Sequence, residues 1–132
     1  MKKILLVDDD ELFGEMIHKT LTAFGYEVLR ARGGKEALDL YDPLTVDLVL
    51  TDLIMPDMEG VELIMALRRL QPGVKVIAMS GGGRNRPEVY LQIAQRIGAL
   101  RTLAKPFPLA TLRAAVEECL AEKLVGELKV ES

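Results

Sequence analysis

Four short segments, well separated along this chain, end on groups suited to handling a phosphoryl anion. The apolar run Ile4-Leu5-Leu6-Val7 leads into Asp8-Asp9-Asp10-Glu11, and Leu48-Val49-Leu50-Thr51 leads into Asp52. A third run ends at Met79 before Ser80-Gly81-Gly82-Gly83, and a fourth, near Thr102–Ala104, before Lys105-Pro106. Three carboxylates brought together repel one another and resist ionisation unless a cation sits between them. Oxygen donors that leave positions open for water and phosphate suit Mg²⁺. A lysine brings a compact charge to a phosphoryl oxygen, and a hydroxyl with the N–H groups of a glycine-rich turn can donate to the others. A carboxylate can also be the nucleophile that accepts the group. Taken singly these features say little: glycine-rich turns are common, and Asp10 reads better as the cap of a following helix than as a ligand.

The groups meet only if the elements between them bring the four ends to one rim. Helix-period segments separate the apolar runs. From Glu11 to Phe24 the apolar set Leu12, Phe13, Met16, Ile17, Leu21 and Phe24 recurs at three and four, and Gly25 stops it. A strand is expected near Glu27–Ala31, then a short helix near Lys35–Tyr41 stopped by Pro43. A helix after Gly60 should face inward with Val61, Ile64, Leu67 and Leu70, closed by Pro72-Gly73. The fourth strand is predicted over Val74–Met79. A helix after Pro87 should bury Val89, Ile93 and Ile97, and a last helix Leu109, Leu112, Val116, Leu120 and Leu124. Five strands strictly alternating with five helices predict an α/β fold, a doubly wound parallel sheet. Ligands of such sheets bind outside the carboxyl ends of the strands, where strand order reverses. All four chemical segments end there.

Composition narrows the alternatives. The 132 residues are 49% apolar and 28% charged, which fits one cored domain and excludes bulk disorder. One cysteine rules out an internal disulfide framework, and one histidine, His18, rules out a multi-histidine metal site. His18 lies on the polar side of its helix, a surface position, and Cys119 lies by the apolar stripe of the last helix. The apolar run after Met1-Lys2-Lys3 stops at Asp8, too short for a signal peptide. No stretch approaches the length of a membrane span, so no membrane association and a cytoplasmic location are expected. Net charge is −3, but residues 1–62 carry 14 acids and 6 bases, whereas residues 63–108 carry 1 acid and 8 bases. The bases are dispersed and lack interleaved aromatics, so a solvated face is expected and nucleic-acid binding is not.

Val7-Asp8-Asp9, Asp52-Leu53-Ile54-Met55-Pro56-Asp57-Met58-Glu59-Gly60, Met79-Ser80-Gly81 and Lys105-Pro106-Phe107 resemble, in order, the motifs of response-regulator receiver domains of two-component signalling. The resemblance spans about residues 3–123. It implies a flavodoxin-like three-layer fold with strand order 2-1-3-4-5, a receiver over residues 1–124 and a short tail over 125–132. It implies that Asp52 accepts a phosphoryl group from the phosphohistidine of a sensor histidine kinase or histidine phosphotransfer protein. Asp8 or Asp9, with Asp52 and the backbone carbonyl of Ile54, would ligate Mg²⁺. Ser80 and Gly81 would bind the phosphoryl oxygens, Lys105 would pair with them, and Lys105-Pro106 would be a cis peptide. Pro56 and Gly60 would shape the loop after the third strand.

Two departures from the family pattern stand out. Thr102 occupies the position of a usual aromatic switch residue, which directs the readout toward the fourth helix and its preceding loop. Ile54 and Gly82 offer no group to orient an attacking water, so slow self-dephosphorylation is expected. Arg84, Arg86, Arg96 and Arg101, with Thr102, flank the fourth helix and are candidates for a partner surface. The protein is thus expected to be a switch rather than an enzyme, a monomer or weak phosphorylation-dependent dimer that acts on a downstream protein target. Two rivals remain at this point. One is a receiver-like adaptor that works without phosphorylation; the other is a Mg²⁺-dependent phosphohydrolase, distinguished by turnover of small phosphate esters.

Overall fold

Successive residues of a strand point to opposite faces, so a strand apolar at every position needs cover on both. The computed structural model, which describes residues 1–81 and 87–122, supplies that cover with helices on each side of one sheet. In chain order the elements are β1 (Lys3–Val7), α1 (Glu11–Ala23), β2 (Glu27–Ala31), α2 (Gly34–Leu40) and β3 (Leu48–Asp52). There follow α3 (Gly60–Leu70), β4 (Val76–Ser80), α4 (Pro87–Arg96), β5 (Arg101–Ala104) and α5 (Leu109–Ala121). The five strands are parallel, as the alternation predicts, and run in the order β2-β1-β3-β4-β5 that the resemblance implies. Order reverses at β1, placing β1 and β3 side by side at the centre.

The strand alternation sorts the core into two layers. Leu5, Val7, Val49, Val76 and Ala78 meet Ala37 of α2, Leu63, Ile64 and Leu67 of α3, and Ala94 of α4. Ile4, Leu6, Leu48, Leu50, Ile77 and Met79 meet Ile17 and Leu21 of α1, and Leu112, Ala115, Val116 and Cys119 of α5. Fully burying one such Leu or Ile contributes roughly 1.5–3 kcal/mol.

Several helix faces differ from the expectation. On α1, Gly14, Ile17 and Leu21 are buried, whereas Leu12 is 82% exposed and Met16 is also exposed. On α4 the buried residue is Ala94, flanked by the partly buried Tyr90, Leu91 and Ile97; Val89 and Ile93 are exposed. The small alanine lets the helix lie close on the sheet, which rotates the expected stripe outward. Leu70 and Leu109, at helix ends, are exposed as well. Strand β4 starts at Val76, two residues later than predicted. Gly25 and Gly98 have φ of +100° and +118°, left-handed conformations that stop α1 and α4 as Gly commonly does. Gly82, Gly83, Arg84, Arg86, Leu124 and the 125–132 tail lie outside the described residues. No helix among the described residues is long and apolar enough to cross a membrane.

Candidate functional site

Parallel register decides which side chains meet at the carboxyl rim. Val7 of β1 pairs with Thr51 of β3, Asp52 with Met79 of β4, and Ser80 with Ala104 of β5. One step past each pair stand Asp8, Asp52, Ser80-Gly81 and Lys105, side by side across four strands. The structure therefore brings together the residues that the sequence placed at four separate strand ends.

Asp8 is fully buried, and both its oxygens are engaged. Its Oδ1 accepts from the backbone N–H of Asp10 at 2.9 Å, and its Oδ2 accepts from Lys105 Nζ at 2.9 Å. Lys105 Nζ also lies 3.4 Å from Asp52 Oδ1. Asp9 is exposed, yet one carboxylate oxygen from each of Asp8, Asp9 and Asp52 falls within 4.8 Å of the others. Asp10 is the cap of α1, its Oδ1 accepting from Phe13 N–H at 3.0 Å, as the sequence suggested.

Three acids around one ammonium leave an electrostatic deficit. Asp52 is 8% exposed, and burial pushes its carboxyl up to about 6. The Lys105 charge works against this rise, while the Asp8 and Asp9 charges add to it. Ser80 is 1% exposed, and among the described residues its Oγ has no hydrogen-bond partner. Leaving a buried hydroxyl unpaired costs roughly 1–3 kcal/mol, and such a group in a native protein calls for an explanation. Hard oxygen donors short of positive charge fit a Mg²⁺ ion. A buried donor without an acceptor fits an anion delivered from outside.

Close backbone approaches hold the rim together. A Cβ on Gly81 would lie 2.5 Å from both Cβ and the carbonyl oxygen of Lys105. A Cβ on Gly60 would lie 2.4 Å from the carbonyl oxygen of Asp52, so the start of α3 is pressed directly behind the acidic residue. Lys105-Pro106 is cis. An open cavity of about 560 Å³ lies over the site, lined by Asp9, Asp52, Ile54, Gly81, Lys105 and Phe13 among others.

Two participants escaped the sequence reading. In the sequence Phe13 belongs to an apolar stripe, but Lys105 Nζ sits 4.1 Å from the centre of its ring, which is in edge contact with Phe107. Asp57 stands in the sequence only as one position of the motif after Asp52; its carboxylate reaches the amides that open α2. Neither has a local signal, because each partner is distant in sequence. Of the remaining candidates, Pro56 is exposed on the β3–α3 loop and Arg96 is exposed in the last turn of α4. Thr102 is half-buried on β5 opposite Ala78. Arg101 makes ion pairs with Glu118 of α5 at 3.7 Å and with Glu122, the C-cap of that helix, at 3.4 Å.

This fold and this rim define a receiver, and the comparisons agree: residues 4–117 match the response regulator receiver domain family, and the chain belongs to it. It is 32% identical over 122 residues to sporulation initiation phosphotransferase F of Bacillus subtilis, covering 92% of this chain and 96% of that protein. It is 34% identical over 107 residues to the chemotaxis protein CheY of Thermotoga maritima, covering 80% and 87%. A crystal structure of a response regulator receiver domain protein from Clostridium thermocellum superposes with a TM-score of 0.85 at 26% identity over 100% of both chains.

Proposed function

We propose that this receiver is a phosphorylation-dependent signalling switch whose phosphoacceptor is Asp52. The observation that carries this is the pairing of a buried, cation-poor carboxylate with an orphaned hydroxyl on the adjacent strand, Ser80 Oγ, next to Lys105. A carboxylate oxygen of Asp52 attacks the phosphorus of a phosphohistidine, a P–O bond forms, and the P–N bond breaks as imidazole leaves. The donor histidine belongs to a partner, a histidine kinase or phosphotransfer protein, since His18 sits on α1 away from the rim. Asp8, Asp9, Asp52 and the Ile54 carbonyl would hold Mg²⁺. Bound there, Mg²⁺ would neutralise charge on the phosphoryl oxygens.

The chain's own groups do the rest. Lys105 is already between Asp8 and Asp52 and has only to turn toward the new phosphoryl oxygens, giving a charge-assisted contact. Ser80 and the Gly81 N–H donate to the others. Satisfying Ser80 draws the end of β4 toward Asp52, and two arrangements of that strand end are the switch. Its output is a changed protein-binding surface around α4 and β5, with Arg96, Arg101 and Thr102 as candidate contacts. Ile54 on the cavity wall presents no group that could activate water, so the acyl phosphate is lost slowly, over minutes or longer.

The test is phosphorylation with a small donor. Wild type and Asp52→Asn are incubated with Mg²⁺ and acetyl phosphate and weighed intact. One phosphoryl adduct is expected on the wild type and none on the variant. An equal adduct on both, or none on either, rejects Asp52 as acceptor and leaves an adaptor that binds without phosphorylation. A phosphoryl half-life of seconds would reject the slow loss assigned to Ile54.

A further inference from the structure

Helix α2 begins without a cap of its own. Its N-cap residue is Gly33, in ordinary extended backbone (φ −165°), and no side chain of the helix start accepts from the first amides. The missing acceptor comes from another loop. Asp57, five residues beyond Asp52, places Oδ1 3.2 Å from Gly34 N and Oδ2 3.1 Å from Lys35 N. The two segments also interlock sterically. A Cβ on Gly33 would stand 2.5 Å from Asp57 Oδ1, and a Cβ on Gly34 2.7 Å from Met58 Sδ. Met58 in turn packs on the core layer beneath α2 and α3. The amides of Lys35 and Gly34 hold the Asp57 carboxyl below the usual carboxylate range.

A glycine at the cap position therefore has a use: it admits the carboxylate that a larger residue would exclude. The β3–α3 loop is closed at its end by Gly60 N–H donating to Leu53 O at 2.9 Å, and its middle is fastened to α2 by Asp57. Ile54 lies between Asp52 and that fastening, on the wall of the site cavity. We infer that Asp57 is a positioning residue, a clasp from the β3–α3 loop to the start of α2 that fixes where the Ile54 carbonyl faces the acidic cluster. The inference rests on the proposed Mg²⁺ role of that cluster. A simple cap, by contrast, would stabilise α2 and leave the site indifferent.

The two roles separate in a pair of variants. Asp57→Ala removes both cap and clasp. Asp57→Ala with Gly33→Ser gives α2 a local cap, Ser being a favoured N-cap residue, without restoring the tie. Melting temperature, Mg²⁺ affinity by calorimetry, and amide exchange over residues 54–59 are measured on the full chain. Asp57→Ala is expected to melt about 3–5 °C lower and to bind Mg²⁺ about 10-fold more weakly, the low end for residues that orient metal ligands. The double variant regains the melting temperature but keeps the weak affinity and the faster loop exchange. Wild-type affinity in the double variant, or in Asp57→Ala, overturns the clasp. A wild type that binds no Mg²⁺ rejects the reading of the acidic cluster and, with it, the clasp's part in metal binding. Amide exchange tells the cases apart: unchanged exchange over 54–59 in the double variant rejects the hold on the loop itself.

Discussion

The ammonium of Lys105 lies over the ring of Phe13, 4.1 Å from its centre. This contact is a third interaction for a lysine already placed between Asp8 and Asp52. It also explains how a single flexible stem is held at one spot on the rim. A cation over an aromatic face contributes about 0.5–1 kcal/mol, more when desolvated. Phe13→Leu keeps an apolar side chain there and removes the ring. In a double-mutant cycle with Lys105→Met, urea unfolding should give a coupling of about 0.5–1 kcal/mol. Strictly additive effects would show that the ring does no more than pack.

The pH dependence of stability should carry the mark of Asp52. Its carboxyl is raised from 3.8 to about 6 in the folded chain. Between those values the folded state keeps a proton the unfolded state has lost, so stability falls as pH rises through this window and levels off above it. Asp52→Asn lacks that titration. The variant should be more stable than wild type at pH 7.5 by about 1–2 kcal/mol, a figure reduced for solvent screening, and no more stable near pH 4. Equal stability of the two chains at pH 7.5 contradicts the burial cost assigned to this carboxylate.

Divalent metal should reverse that cost. With Mg²⁺ at ten times its Kd, linkage predicts about 1.4 kcal/mol of added stability, removed again by a chelator. Affinity should climb as pH passes about 6, where Asp52 ionises. Asp9→Asn should weaken binding while leaving the metal-free stability within about 0.5 kcal/mol of wild type, because Asp9 is exposed. A thermal shift that ignores Asp9 and pH would place the ion somewhere else.

Gly81→Ala should damage both stability and the site. The new methyl has to displace the backbone of Lys105, since its nearest neighbours are Cβ and the carbonyl oxygen at 2.5 Å rather than a flexible side-chain end. Overpacking of this kind costs roughly 1–3 kcal/mol. The urea midpoint should drop with an unchanged m-value, and phosphorylation from acetyl phosphate should slow at temperatures where the variant is fully folded. An unaltered midpoint means the backbone of Lys105 can move away from Gly81 at no cost.

What was legible in the sequence was what local pattern encodes. The runs Ile4–Val7 and Leu48–Thr51 announce strands buried on both faces, and Asp8, Asp52, Ser80 and Lys105 announce a rim because each directly follows such a run. Asp10 could be read as a cap because a cap is defined within three residues. The face of α4 was not legible. Val89 and Ile93 form as good a stripe as Tyr90, Leu91 and Ala94, and only the close seat on the sheet decides for the set with the small residue. Phe13 and Asp57 were illegible for a different reason. Each acts on a group from a distant part of the chain, Lys105 and the start of α2, and nothing in their own neighbourhoods marks it.

The ion pair between Asp8 and Lys105 joins residues 97 positions apart, each one step past the end of β1 or β5. A nascent or partly unfolded chain with β1, β3 and β4 in place would already crowd its acids together without the lysine that tempers them. Closing so long a span costs chain entropy before the contact contributes anything. The rim is therefore complete only when the first and last strands have both joined the sheet: Asp8, Asp52 and Lys105 offset one another's charge in the finished molecule and at no earlier stage.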